Sequence, residues 1–175
     1  MRTPVDALRS VKKFTADALP EFEVRLAKEE GTFVRPFARV GFAGSIDLPK
    51  GQLEMVDYIV PMFVHCYPER AATGEQAVVK SLELADRVGL IFRSGPHPYR
   101  VPFYDYEGVS LDRAGTERAS TDFIRLSDVS VETQVDSDEQ YLTFVTVDIR
   151  ATWRRHMRLT DGDPLAGSNI SGTMD

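Results

Sequence analysis

Apolar side chains recur every three or four residues in two stretches of the chain and every second residue in several others. The first helical stretch opens at Thr3-Pro4, with Thr3 as cap and Pro4 at the first helical position, where no amide donor is needed. Val5, Leu8, Val11, Phe14 and Ala18 then mark one face, and the helix ends near Leu19-Pro20. The second opens at Thr73-Gly74-Glu75-Gln76, a capping-box pattern. Its stripe is wide: Ala77, Val78, Leu82, Leu84, Ala85, Val88, Ile91 and Phe92. Such a stripe predicts a helix well buried against a sheet, stopping at Ser94-Gly95-Pro96.

Period-two patterns mark the strands. Phe22, Val24 and Leu26 alternate with Glu23 and Arg25, a half-exposed strand followed by a turn at Glu29-Glu30-Gly31. Phe33 to Phe42 is a second candidate, interrupted by Pro36, and Gly44 to Gln52 a loop. Leu53 to Tyr67 is apolar on both parities, with Val56, Tyr58, Val60, Met62 and Val64 on one and Ile59, Phe63 and Tyr67 on the other. A strand of that kind is expected to be covered on both faces. Pro61 cannot donate to a ladder, so irregular or edge pairing is expected around it. A subunit interface fits this pattern, and so does a bulge inside one subunit. Tyr58, Pro61 and Phe63 are the candidate interface residues.

Tyr99 to Tyr106 predicts a short aromatic strand, and the polar stretch from Glu107 to Thr121 a long exposed loop. Ile124 to Val135 and Tyr141 to Arg154 predict a hairpin turning at Asp136-Ser137-Asp138-Glu139. In its second strand Tyr141, Thr143, Val145, Val147, Ile149, Ala151 and Trp153 share one face. The predicted order is α-β-β-β-α-β-β-β, an α+β fold with a mostly antiparallel sheet and two main helices packed on it. Residues 1–157 form the single domain, and the Gly/Ser/Asp-rich stretch 158–175 is expected to be a flexible C-terminal tail.

Composition narrows the function. With 42% hydrophobic and 27% charged residues the chain reads as an ordinary globular protein. A net charge of -6 argues against a general nucleic-acid binder, which needs clustered Lys and Arg. The lone Cys66 lies in an apolar run and reads as a small buried hydrophobe; no intrachain disulfide can form. No stretch matches a signal core or a membrane span, so a cytoplasmic site of synthesis is expected.

Candidate chemistry is sparse. The sequence contains no GxxxxGK[ST], GxGxxG, HExxH, GxSxG or CxxC motif. His65, His97 and His156 lack neighbours at metal-ligand spacing, and His65 reads as a core or interface residue. Asp136, Asp138 and Glu139 lack the calcium-loop spacing and read as a solvated turn. Asp105 and Glu107 flank Tyr106 without an obvious nucleophile. No catalytic residue, cofactor or metal is therefore predicted, and no enzyme activity. Arg150, Arg154, Arg155, His156 and Arg158 form the one basic concentration. It reads as a charged strand end or, more sharply, as a docking patch for an acidic partner, with Arg150, Arg154 and Arg155 as its candidates.

A whole-chain pattern goes further. It runs through "VRPFARV", "YIVPMFVHCY", "GEQAVVKSLELADRVGLIF", "YRVPFYDYEGVSLD" and "LSDVSVETQVDSDEQYLTFVTVDIRATWRR". From about residue 4 to about residue 155 this resembles the tail terminator, or tail-completion, proteins of long-tailed bacteriophages, particularly those of actinobacterial hosts. The resemblance implies a homo-hexameric ring that caps the last ring of tail-tube protein, stops its polymerisation and joins the tail to the head-tail connector proteins. DNA would pass through the lumen without specific binding. The protein would assemble in the host cytoplasm and end at the head-proximal end of the virion tail. The stretch beyond Arg158 matches nothing in the family pattern. Other classes remain open: another phage neck or tail-tube subunit, a cytosolic ligand-binding module, or an enzyme.

Overall fold

A computed structural model of the chain describes residues 3–45, 55–94, 98–104, 107–108, 123–135 and 143–156, and the side chains of all these except 55–57, 135 and 154–156. The expected loops at 46–52 and 109–121, the turn at 136–139, His97 and the C-terminal tail lie outside the described residues.

Among the described residues two helices and six strands follow in the predicted order: α1 (Pro4–Ala18), β1 (Glu23–Leu26), β2 (Phe37–Phe42), β3 (Met55–Tyr67), α2 (Gly74–Arg93), β4 (Arg100–Pro102), β5 (Phe123–Val135) and β6 (Thr143–His156). The fold is α+β. Both predicted caps form. The Thr3 hydroxyl accepts from the Asp6 amide while the Asp6 carboxylate accepts from the Thr3 amide, and the Thr73 hydroxyl accepts from the Gln76 amide. The second strand starts only after Pro36, at Phe37, because proline interrupts the ladder.

The six strands form one sheet in the order β1-β2-β3-β6-β5-β4. Four of its five pairings are antiparallel and β1–β2 is parallel, so the sheet is mixed. The long β3–β6 ladder runs from Met55↔His156 to Cys66↔Val145 and forms the spine. Helix α1 packs against β1 and β2 at one end of the sheet and against β4 at the other, so the sheet curls around it. The Tyr104 amide donates to Ser10 Oγ at 3.1 Å, which satisfies a serine buried in that contact. Helix α2 lies against β5 and β6 on the same face, and Phe92 meets Phe14 of α1 at 5.7 Å between ring centroids.

One core fills this concave side. Val60, Met62, Val64 and Cys66 of β3 interleave with Val145, Val147, Ile149 and Ala151 of β6 under α1 and α2. Tyr58 stacks on Trp153, centroids 5.2 Å apart, and Phe103 meets the same indole edge-on. A bulge between Leu126 and Asp128 shifts the inward parity of β5 from Ile124 and Leu126 to Val129.

Three expectations are corrected. In α1 the buried face is Ala7, Ser10, Val11 and Thr15, and Val5 is exposed. The polar Ser10 and Thr15 can be buried there because Tyr104 and the Val11 carbonyl satisfy their hydroxyls. In α2, Val78 and Leu82 lie on the outer face; the sheet takes Ala77, Leu84, Val88 and Phe92. Strand β3 is not an edge strand, nor is it covered equally on both sides. It lies between β2 and β6, and only its Tyr58–Cys66 parity is fully buried. Pro61 sits one residue beyond the last β2–β3 pair, Phe42↔Met62, and its carbonyl still accepts from the Ala43 amide at 2.9 Å. The missing N–H therefore falls where the ladder with β2 ends, which makes proline tolerable inside the sheet.

Candidate functional site

The convex face of the sheet carries no helix among the described residues, yet it is rich in aromatic side chains. Strand alternation dictates which ones. The parity of β3 opposite the core holds Ile59, Pro61, Phe63, His65 and Tyr67, all half-buried. From β2 it receives Phe37 and Arg39, and from β6 Phe144, Thr146, Asp148 and Arg150. Phe63 stacks on His65 at 4.2 Å, Phe37 on Tyr67 at 4.5 Å and Tyr67 on Phe144 at 5.5 Å between centroids. Gly41 makes room for this layer: a Cβ there would stand 2.5 Å from Phe63 Cζ.

The connection between β1 and β2 folds partly over this layer. The Phe33 ring meets Phe37 at 5.0 Å. Arg35 anchors the segment by donating to the carbonyls of Pro68 and Thr143, both at 3.2 Å, and its guanidinium lies 5.5 Å from the Tyr67 ring. Arg39 lies 4.1 Å over the Phe33 ring and 5.6 Å from that of Phe37. Arg25, in register with Arg39 across the β1–β2 pair, approaches the same Phe33 ring at 5.2 Å. Arg25 pairs with Glu23, whereas Arg39 has no carboxylate partner among the described residues, and its Nε is buried without a hydrogen bond. Burial pushes the His65 imidazolium below its usual pKa; the Asp148 carboxylate opposes this and Arg39 adds to it.

Charge is unevenly spread over the face. Arg25, Arg35 and Arg39 crowd the β1–β2 end with Glu23 as the one carboxylate beside them among the described residues, while Asp148, Glu132 and Asp128 lie toward β5 together with Arg150 and Arg125. The arrangement suits docking of an extended surface that offers carboxylates and apolar groups to the β1–β2 end.

The predicted interface residues separate. Pro61 and Phe63 lie on this open face; Tyr58 lies on the other face, 7% exposed and stacked on Trp153 in the core. Of the predicted docking arginines, Arg150 is exposed and faces the same way as Phe63, in register with Pro61. Arg154 and Arg155 lie in β6 opposite Asp57 and Val56, but their side chains are outside the described ones. Sequence reasoning missed Phe33, Arg39 and Phe144 as members of one cluster. Their parity was readable within each strand, but the register that joins β2, β3 and β6 was not.

Elsewhere, a cleft of about 460 Å³ lies between α2 and the ends of β2 and β3, lined by Phe22, Pro36, Pro68, Lys80 and Leu84 among others. At its rim Arg87 grips Glu21 with both guanidinium nitrogens and holds that carboxyl below its usual pKa. Among the described residues no three His, Cys, Asp or Glu side chains converge to hold a metal ion, and no helix is long and apolar enough to cross a membrane. Compared with models of known protein families and with curated protein sequences, the chain matches none.

Proposed function

We propose that this chain is a non-enzymatic structural subunit that assembles with copies of itself into a ring, and that the ring is the tail terminator of a long-tailed phage. The observation that carries the reading is the aromatic face on β2, β3 and β6. Five aromatic rings occupy one face of the sheet's central strands and Phe33 of the β1–β2 connection joins them, with no helix over them among the described residues. Half-buried apolar patches of that kind mark surfaces that meet other protein. The whole-chain resemblance supplies the particular assembly: a hexamer that ends tail-tube growth and presents a surface to the head-tail connector.

In this reading Arg150, Arg154 and Arg155 contribute to docking on the tube, and the lumen is acidic or neutral. A basic lining would retain DNA through counterion release, and the chain's 27 acidic against 21 basic residues make a non-basic wall easy to build.

The test is to add the purified chain to tail-tube protein while it polymerises. Arrested tubes that carry one ring at a single end support the proposal. Tubes that grow undecorated contradict it. Open polymers of this chain alone would instead indicate a tube subunit. Arg154→Glu with Arg155→Glu is expected to weaken the capping and leave duplex-DNA affinity unchanged.

A further inference from the structure

Helix α2 carries a second apolar surface that its own fold does not use. Val78, Val79, Leu82 and Leu90 are 50%, 47%, 57% and 51% exposed. Spacings of three and four residues set Val79 and Val78 beside Leu82, and Leu90 lies two turns further along the same outer side, opposite Ala77, Leu84, Val88 and Phe92. Glu75 and Asp86 lie among these residues, Asp86 one turn from both Leu82 and Leu90, and Glu83 lies at their edge; all three are exposed and none is in an ion pair among the described residues. The subunit thus presents apolar side chains interspersed with acidic ones on the helix side of its sheet. On the opposite side it presents an aromatic layer with an arginine-rich end, where Arg39 has no carboxylate partner among the described residues.

We infer that these two surfaces bind each other between copies of this chain, the outer face of α2 of one subunit docking on the open sheet face of the next. The inference rests on the proposed ring and specifies its contact. Three observations favour a second copy as the occupant. Both surfaces carry several apolar side chains. Their charges are opposite, with Arg25, Arg35 and Arg39 on one and Glu75, Glu83 and Asp86 on the other. The two surfaces also lie on opposite sides of one sheet, so each subunit can use both at once. Contact between unlike faces is heterologous and propagates head to tail until it closes into a ring. A carboxylate brought to Arg39 would also give its guanidinium, whose Nε is buried, a charged partner that it lacks among the described residues.

The test uses two single-face variants of the full chain. Leu82→Asp places a charge on the outer side of α2 at a position exposed in the subunit, so folding is preserved. Val34→Glu, at a residue 72% exposed in the segment whose Phe33 and Arg35 pack on the sheet face, adds a negative charge to the arginine-rich end of that face, and Arg39→Glu does so from a second position. Each variant alone is expected to lose the ring completely and to run as a monomer in light scattering. Mixed in equal amounts, Leu82→Asp and Val34→Glu subunits are expected to form one-to-one dimers and nothing larger, because one good face remains on each. Rings that persist in Leu82→Asp, or mixed variants that stay monomeric, would overturn the face assignment while the ring itself stood. A wild-type chain that never assembles would overturn the ring and this contact together.

Discussion

The ring of Phe63 lies over the backbone of Gly41 on the neighbouring strand, where a Cβ would stand 2.5 Å from Phe63 Cζ and 2.8 Å from Ala27 Cβ. Glycine is required there by that close approach. Gly41→Ala is expected to destabilise the fold by about 1–3 kcal/mol through overpacking, lowering the thermal midpoint by about 2–4 °C per kcal/mol. In a Phe63→Ala background the same change should cost about 1 kcal/mol less, since the two residues share the contact. Equal costs in both backgrounds, read from urea denaturation, would show that Phe63 does not occupy this position.

Cys66 is fully buried between the core side chains of β3 and β6, and burial pushes its thiol from 9.0 up to about 12. The folded chain therefore keeps the proton that the unfolded chain gives up near pH 9. The contribution to stability is complete below about pH 9 and falls as the pH rises toward 12. At pH 8 a thiol reagent should leave the native protein untouched and label it fully in denaturant. Rapid native labelling would contradict the placement.

His65 responds at the other end of the scale. Burial lowers its pKa from the usual 6.5, so the unfolded chain takes up the proton first as the solution is acidified. Its stabilising effect is present above pH 6.5 and is lost as the pH falls through the lower folded value. The imidazole resonances should titrate with a midpoint below 6.5. His65→Gln should flatten the acid side of the stability profile, and a midpoint above 6.5 would show that Asp148 outweighs burial.

Much of this fold was legible along the chain. Thr3 and Thr73 announced both helices, and the alternation from Thr143 to Trp153 fixed the inward face of β6. The burial of helical faces was less legible, because periodicity finds an apolar face without saying what covers it. Leu82 and Val78 looked like core for that reason. The parallel pairing of β1 with β2 depends on the path of the intervening connection, which Phe33 and Arg35 hold by contacts with β2, β3 and β6. Those partners are adjacent only in space. The interruptions at Pro36 and Pro61 were read from the sequence, whereas the parity change at the β5 bulge, from Ile124 and Leu126 to Val129 and Val131, was not, although the apolar spacing changes there.

The central claim is that the subunit is built to meet copies of itself. Its most direct test is the mass of the purified full chain by native mass spectrometry across micromolar concentrations, paired with electron microscopy of the same sample. A closed ring at six times the 19.6 kDa chain mass is the predicted result. A monomer at every concentration, with no ring in any image, would contradict the account.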